Sequence, residues 1–81
     1  MKNFDDLYKT KDFYLACFLR TKGLSLKKVF KVEDVYYFGF LNNGCVDKLI
    51  SDFYSGDENV SPTDFINSIR VLKSLIHSFS D

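Results

Sequence analysis

One proline, one histidine, two cysteines and no surplus of either charge are the first things to notice in this chain of 81 residues. Each shortage excludes a class of protein. A single proline beside 46% hydrophobic and 27% charged residues is not the composition of a disordered chain. Cys17 and Cys45 stand far apart in apolar surroundings, so they form neither a disulfide framework nor a CxxC zinc pair. They predict free thiols, as in a reducing cytoplasm. A protein-bound metal needs about three or four ligands at workable spacing, and His77 is the one histidine. Near the end of the last predicted helix it reads as a complement to the helix C-terminus. Asp5, Asp6, Asp57 and Glu58 fall as neighbouring pairs in predicted loops and read as solvated acids. The four glycines are isolated and none sits in a GxxxxGK frame, so no phosphate-cradling loop is predicted. With no set of polar groups converging on one point, neither enzyme activity nor a cofactor is expected.

Long hydrophobic runs are also missing. The longest, FYLACFL at residues 13–19, is far short of the roughly 20 residues that span a bilayer. The start, MKNFDD, lacks the basic-then-apolar order of a signal peptide. The expectation is a cytoplasmic protein with no membrane partner. Net charge is zero, which argues against a protein whose main task is coating DNA, because phosphate contacts supply most of that affinity. The charge is nevertheless uneven: residues 1–38 carry eight Lys/Arg against five Asp/Glu, and residues 39–81 carry three against six.

What the chain has in quantity is aromatic carbon, with nine Phe and five Tyr. Each buried ring withdraws about 150–250 Å² from water, and a chain this short needs that efficiency. Residues 1–9 read as an extended arm that Phe4, Leu7 and Tyr8 tie to the body. A first helix is predicted from an N-cap at Thr10, with Asp12 in its first turn, to a C-terminal Gly23. It is apolar on most of its circumference, so it is read as the central helix. LSLKKVFKV (24–32) alternates as a half-buried strand. Leu24, Leu26, Phe30 and Val32 fall on one side, and Lys27, Val29 and Lys31 on the other. Glu33-Asp34 reads as a tight turn. VYYFGFL (35–41) is the second strand, with Tyr36, Phe38 and Phe40 toward the core and Val35, Tyr37, Gly39 and Leu41 opposite. A second helix over 45–56 places Val46, Leu49, Ile50 and Phe53 on one stripe. The third opens with Ser61 as N-cap, Pro62 at the first helical position and a Val60–Phe65 hydrophobic staple. Phe65, Ile69, Leu72, Ile76 and Phe79 then line one face. The expected fold is a single α+β domain over 10–79, order α-β-β-α-α, with a β-hairpin packed against three helices.

The segments TKDFYLACFLRTKG (10–23), YFGF (37–40), FYSG (53–56) and FINSIRVLKSLI (65–76) together resemble a family of small uncharacterised domains from bacteria and their phages. That family is marked by a T-K-D-x-Y-L-A start, an aromatic strand and an R-x-L-K-S-L-I closing helix. The resemblance spans about residues 9–78. It implies a free-standing small domain and brings no catalytic residues with it.

Two functional surfaces follow from the residues. Val29, Val35, Tyr37 and Leu41 are the candidate interaction face, opposite the presumed core. An uncharged, β-prone strand left at a sheet edge invites pairing, so a small interaction or regulatory module that self-associates as a dimer through its hairpin is the leading expectation. The alternative is a nucleic-acid binder, with Lys27, Lys28 and Lys31 on phosphates beside Tyr37. Phe38-Gly39-Phe40 resembles the F-G-F core of the RNP1 strand of RNA-recognition motifs. It departs from that motif at Tyr36, Tyr37 and Asn43, and the predicted element order is not βαββαβ. A third expectation is a small phage-type inhibitor that docks on a larger protein. Asp12 and Arg70 are read as an ion pair joining the first and last helices.

Overall fold

The computed structural model describes residues 7–42, 44–56 and 59–79. Phe4, Asp5, Asp6, Asn43, Asp57 and Glu58, and the side chain of Phe79, lie outside the described residues. Six elements follow in chain order: β1 (Leu7–Thr10), α1 (Phe13–Thr21), β2 (Leu26–Val32), β3 (Val35–Leu41), α2 (Val46–Ser55) and α3 (Pro62–Phe79). The α+β class, the hairpin and the three helices are as the sequence predicts. The last residues of the predicted arm, with the predicted N-cap Thr10, differ: Leu7–Thr10 form a third strand. The sheet order is β1-β3-β2, and both pairings are antiparallel. Strands β1 and β2 therefore run parallel, with α1 crossing between them and β3 inserted, a split β-α-β unit. VYYFGFL is the central strand and not an edge.

Local chemistry explains the limits of the elements. Asp12, not Thr10, caps α1: its Oδ1 accepts the Leu15 N–H at 3.1 Å. Thr10 completes β1 instead, and its Oγ1 accepts the Asp12 N–H at 3.1 Å. The end of α1 is a Schellman motif. Gly23, at φ 99°, donates to the Arg20 carbonyl, and the Leu24 N–H reaches the Leu19 carbonyl. Buried Leu24 is thereby folded back onto the core. Ser61 caps α3, its Oγ accepting from Asp64 N–H at 3.4 Å. The two-residue turn places Glu33 at φ 49° and Asp34 at φ 69°, the left-handed pair that matches strand twist in a hairpin.

The core lies between one face of the sheet and the helices. Leu15, Ala16, Cys17, Phe18 and Leu19 of α1 are buried in succession, as expected of a central helix. Around them stand Phe38 and Phe40 of β3, Val46 of α2 and Leu72 of α3. Tyr8, Leu26, Val29, Leu49, Ile50 and Phe53 complete it, with Val60 and Phe65 as the predicted staple. Fully burying each large apolar side chain stabilises by about 1.5–3 kcal/mol, and Phe38 and Phe40 are 1% and 0% exposed.

Ser68 is the polar exception inside α3. It is 1% exposed, lies 3.1 Å from the Arg20 guanidinium, and is 2.9 Å from the Thr21 hydroxyl. Thr21 also donates to the Cys17 carbonyl at 2.7 Å. This node fixes α3 against the C-terminal end of α1, and the predicted Asp12–Arg70 pair is not among the ion pairs of the described residues. Eight residues of helix, about 12 Å, separate Asp12 from Arg20, and Arg70 is exposed. Asp12 is joined to α2 instead, its Oδ2 accepting the Tyr54 hydroxyl at 2.9 Å.

Candidate interaction surface

Residues opposite one another across a ladder share a face of the sheet. The register Thr10↔Phe38, Tyr8↔Phe40, Val29↔Phe38 and Leu26↔Phe40 places those side chains toward the helices. The complementary set, Leu7, Lys9, Lys28, Phe30, Val32, Val35, Tyr37, Gly39 and Leu41, forms the outer face. Among the described residues, the helices pack on the other side, around Phe38 and Phe40.

This corrects the predicted face at one strand. Leu26 pairs with Phe40 and Lys28 with Gly39, so Lys27 is the extra residue of a β-bulge. An extra residue reverses the alternation beyond it. Val29 therefore turns inward to the core, and Phe30 and Val32, read as core residues, turn outward. Val35, Tyr37 and Leu41 stand on the outer face as predicted. Leu7 joins them because β1 extends the sheet.

The outer face has an internal order. Phe30 and Tyr37 are cross-strand neighbours, their rings stacked with centroids 5.3 Å apart and planes at 12°. The Lys28 ammonium lies over the Phe30 ring at 5.3 Å. Val32 and Val35, at the hairpin end, are 47% and 38% exposed. Gly39 is crossed from both sides: a methyl group placed there would lie 3.1 Å from Leu7 Cδ1 and 3.6 Å from Lys28 Cβ. That close approach is what the missing side chain permits. Lys9 and Lys28 flank Gly39 on the two neighbouring strands. A row of two lysines thus separates an aromatic and valine patch from Leu7 and Leu41.

The proposed phosphate contacts are not brought together. Lys28 and Tyr37 share the outer face. Lys31 pairs with Tyr36, on the helix-facing side. Its ammonium lies 5.5 Å from the Tyr36 ring and 3.6 Å from Asp34. Lys27 is taken up by the bulge. The F-G-F likeness fails on burial, because Phe38 and Phe40 face the helices and offer no ring to a base.

Sequence reasoning missed Leu7, Phe30 and Val32. The arm's Leu-Tyr-Lys-Thr alternation was a usable signal for β1; nothing in LSLKKVFKV marks where the bulge falls. Among the described residues, the exposed aromatics Tyr14 and Tyr54 lie on the helices. Tyr54 is tied to the α1 cap, and the hydrogen bond it donates to Asp12 holds its phenol above the ordinary range. Tyr14 packs edge-on against Phe13, with centroids 5.4 Å apart.

The profile of a family described as a domain of unknown function (DUF5659) matches residues 5–78, and the chain belongs to that family. Neither the curated proteins nor the solved structures contain a match to it.

Proposed function

We propose that the protein is a small non-enzymatic interaction module whose working surface is the outer face of its sheet. The observation that carries this reading is the one-sided packing of the sheet. Helices cover Phe38 and Phe40, while Phe30, Val32, Val35, Tyr37, Leu7 and Leu41 stand on the opposite side. An apolar patch on a small domain, here Phe30, Val32, Val35 and Tyr37 on one side of the Lys9–Lys28 row, is a mark of a docking site. The most deeply buried polar group, Ser68, is spent on Arg20 and Thr21, which is structural work and not chemistry. Cys17 and Cys45, neither of them in a disulfide, are consistent with a cytoplasmic setting. Capture from source-cell extract tests the proposal. Wild type and Ile66→Asp, on α3, retain the same bound protein, and Val35→Asp loses it. Capture that ignores Val35→Asp overturns the proposal.

Nucleic-acid binding is the second reading. The observation behind it is that Lys9, Lys28 and Tyr37 share one face. The Phe30–Tyr37 stack weighs against it, since each ring already spends one face on the other. Titration with single- and double-stranded oligonucleotides at two salt concentrations decides: binding that falls steeply with salt would favour this reading over protein docking.

A further inference from the structure

Resting on the reading of the outer face as a protein-docking surface, we infer that its occupant is an acidic amphipathic segment of another protein, one that sets Asp or Glu between apolar side chains. The segment lies on the face and does not extend the sheet as a further strand. The outer edges belong to β1, only four residues long, and to β2, which carries the bulge and exposed Lys27, Lys28 and Lys31. Short strands, bulges and lysines are the devices that blunt an edge.

The charge on this face is of one sign. Among the described residues its charged members are Lys9 and Lys28, both exposed, and it holds no Asp or Glu. The acids of the hairpin, Glu33 and Asp34, are confined to the turn, where Asp34 meets Lys31 at 3.6 Å. The lysines also stand among the apolar groups and not around them. Lys28 holds its ammonium 5.3 Å from the centre of the Phe30 ring, and Phe30 is stacked on Tyr37. A partner that covers those two rings therefore covers the Lys28 ammonium as well. Taking a cation out of water is costly unless a counter-charge comes with the cover. A purely apolar partner lacks that counter-charge, and a basic one adds repulsion. A carboxylate supplies it through a charge-assisted hydrogen bond.

The register sets the spacing that the segment has to match. Along β3, Gly39 and its flanking lysines lie about 7 Å from Tyr37 on one side and about 7 Å from Leu41 on the other. Phe30, Val32 and Val35 extend the first apolar side, and Leu7 the second. An extended segment repeats a side chain on one face about every 7 Å, and a helix does so at i and i+4, about 6 Å apart. An apolar, acidic, apolar order at either spacing fits the face. A nucleic acid fits it less well. Two lysines are few for a phosphate backbone, and the Phe30–Tyr37 stack leaves fewer ring faces for bases.

A displayed library of random peptides long enough to span β3, selected on the intact chain, tests this. The selected peptides are expected to carry Asp or Glu between apolar residues. Their affinity, read by fluorescence anisotropy, falls at least about tenfold with Val35→Asp. It falls about tenfold with Lys9→Glu and Lys28→Glu together, each variant being checked for native circular dichroism. Changing the peptide's acid to lysine restores most of the loss on the charge-reversed chain, as a direct charge contact requires. Selected peptides without acidic residues overturn the inference, as does a charge reversal without effect. A single-stranded oligonucleotide that outcompetes every selected peptide on this face overturns it as well. Failure here is separable from failure of the functional reading. Acid-free peptides that are lost with Val35→Asp sink only the acidic partner. A selection that yields no peptide sensitive to Val35→Asp sinks the docking face too.

Discussion

Ser68 carries more of the fold than a serine in a predicted apolar helix suggests. Its hydroxyl is shut away from water and bonded to Arg20 and Thr21 across the α1–α3 contact. Removing it leaves the guanidinium without that partner, so Ser68→Ala is expected to cost about 1 kcal/mol. Exposed Ser74→Ala changes stability by less than about 0.5 kcal/mol. Urea denaturation of the two variants checks the difference. Cys17 makes a second prediction at this scale. Burial pushes its thiol up from 9.0 to about 11, with Arg20 pulling the other way. The folded thiol keeps its proton over a range where the unfolded one loses it. The stability it contributes is whole below pH 9 and falls as pH rises toward 11. Urea midpoints measured across that range should decline, and Cys17→Ala should flatten the decline. In the folded protein a thiol reagent should modify exposed Cys45 and spare Cys17. The arrangement around Ser68 was not readable from sequence, because a serine between Asn67 and Ile69 looks like the solvent face of the stripe.

At the scale of the element, the strongest sequence signals were the ones that held. The α3 start at Ser61-Pro62, the α2 stripe and the Gly23 and Gly56 terminators work by local geometry, and local geometry is written locally. The α1 cap moved from Thr10 to Asp12 because the strand β1 claimed Thr10, a non-local event. Asp12→Ala should therefore cost about 1–2 kcal/mol through the lost cap. Tyr54→Phe, which removes an exposed bond to the same carboxylate, should cost well under that. Guanidinium denaturation separates the two. The hairpin turn stores strain, since Glu33 and Asp34 both sit at positive φ where a side chain is disfavoured. Asp34→Gly should raise stability by about 0.5 kcal/mol. It does so despite losing the exposed Lys31–Asp34 pair, worth little at the surface. Thermal melts should show the gain. The bulge at Lys27 is the counter-case. One unpaired residue, fixed by how β2 seats on β3, exchanged Val29 for Phe30 and Val32 on the outer face.

The whole molecule is a thin slab, with principal extents of 36 × 32 × 19 Å: one layer of helices and one of sheet. Two layers are enough to bury a core but not to cover both faces of a sheet, and among the described residues no helix packs on the outer face. The class of fold, its three helices and four of the residues on that face (Val35, Tyr37, Gly39 and Leu41) were legible from periodicity and capping signals. Its full extent was not, because it depends on β1 and on the bulge. Among the described residues no helix is long and apolar enough to cross a membrane. The account rests on the outer face being where a protein partner docks. Site-specific photocrosslinking tests this most directly, with a benzoylphenylalanine placed at Tyr37 of the outer face or at Tyr14 of α1. Both positions carry an aromatic ring already, so the fold should tolerate the probe. The account predicts a protein adduct from position 37, whether to a second copy or to another chain, and none from position 14. Adducts that form from position 14 and not from position 37 would contradict it.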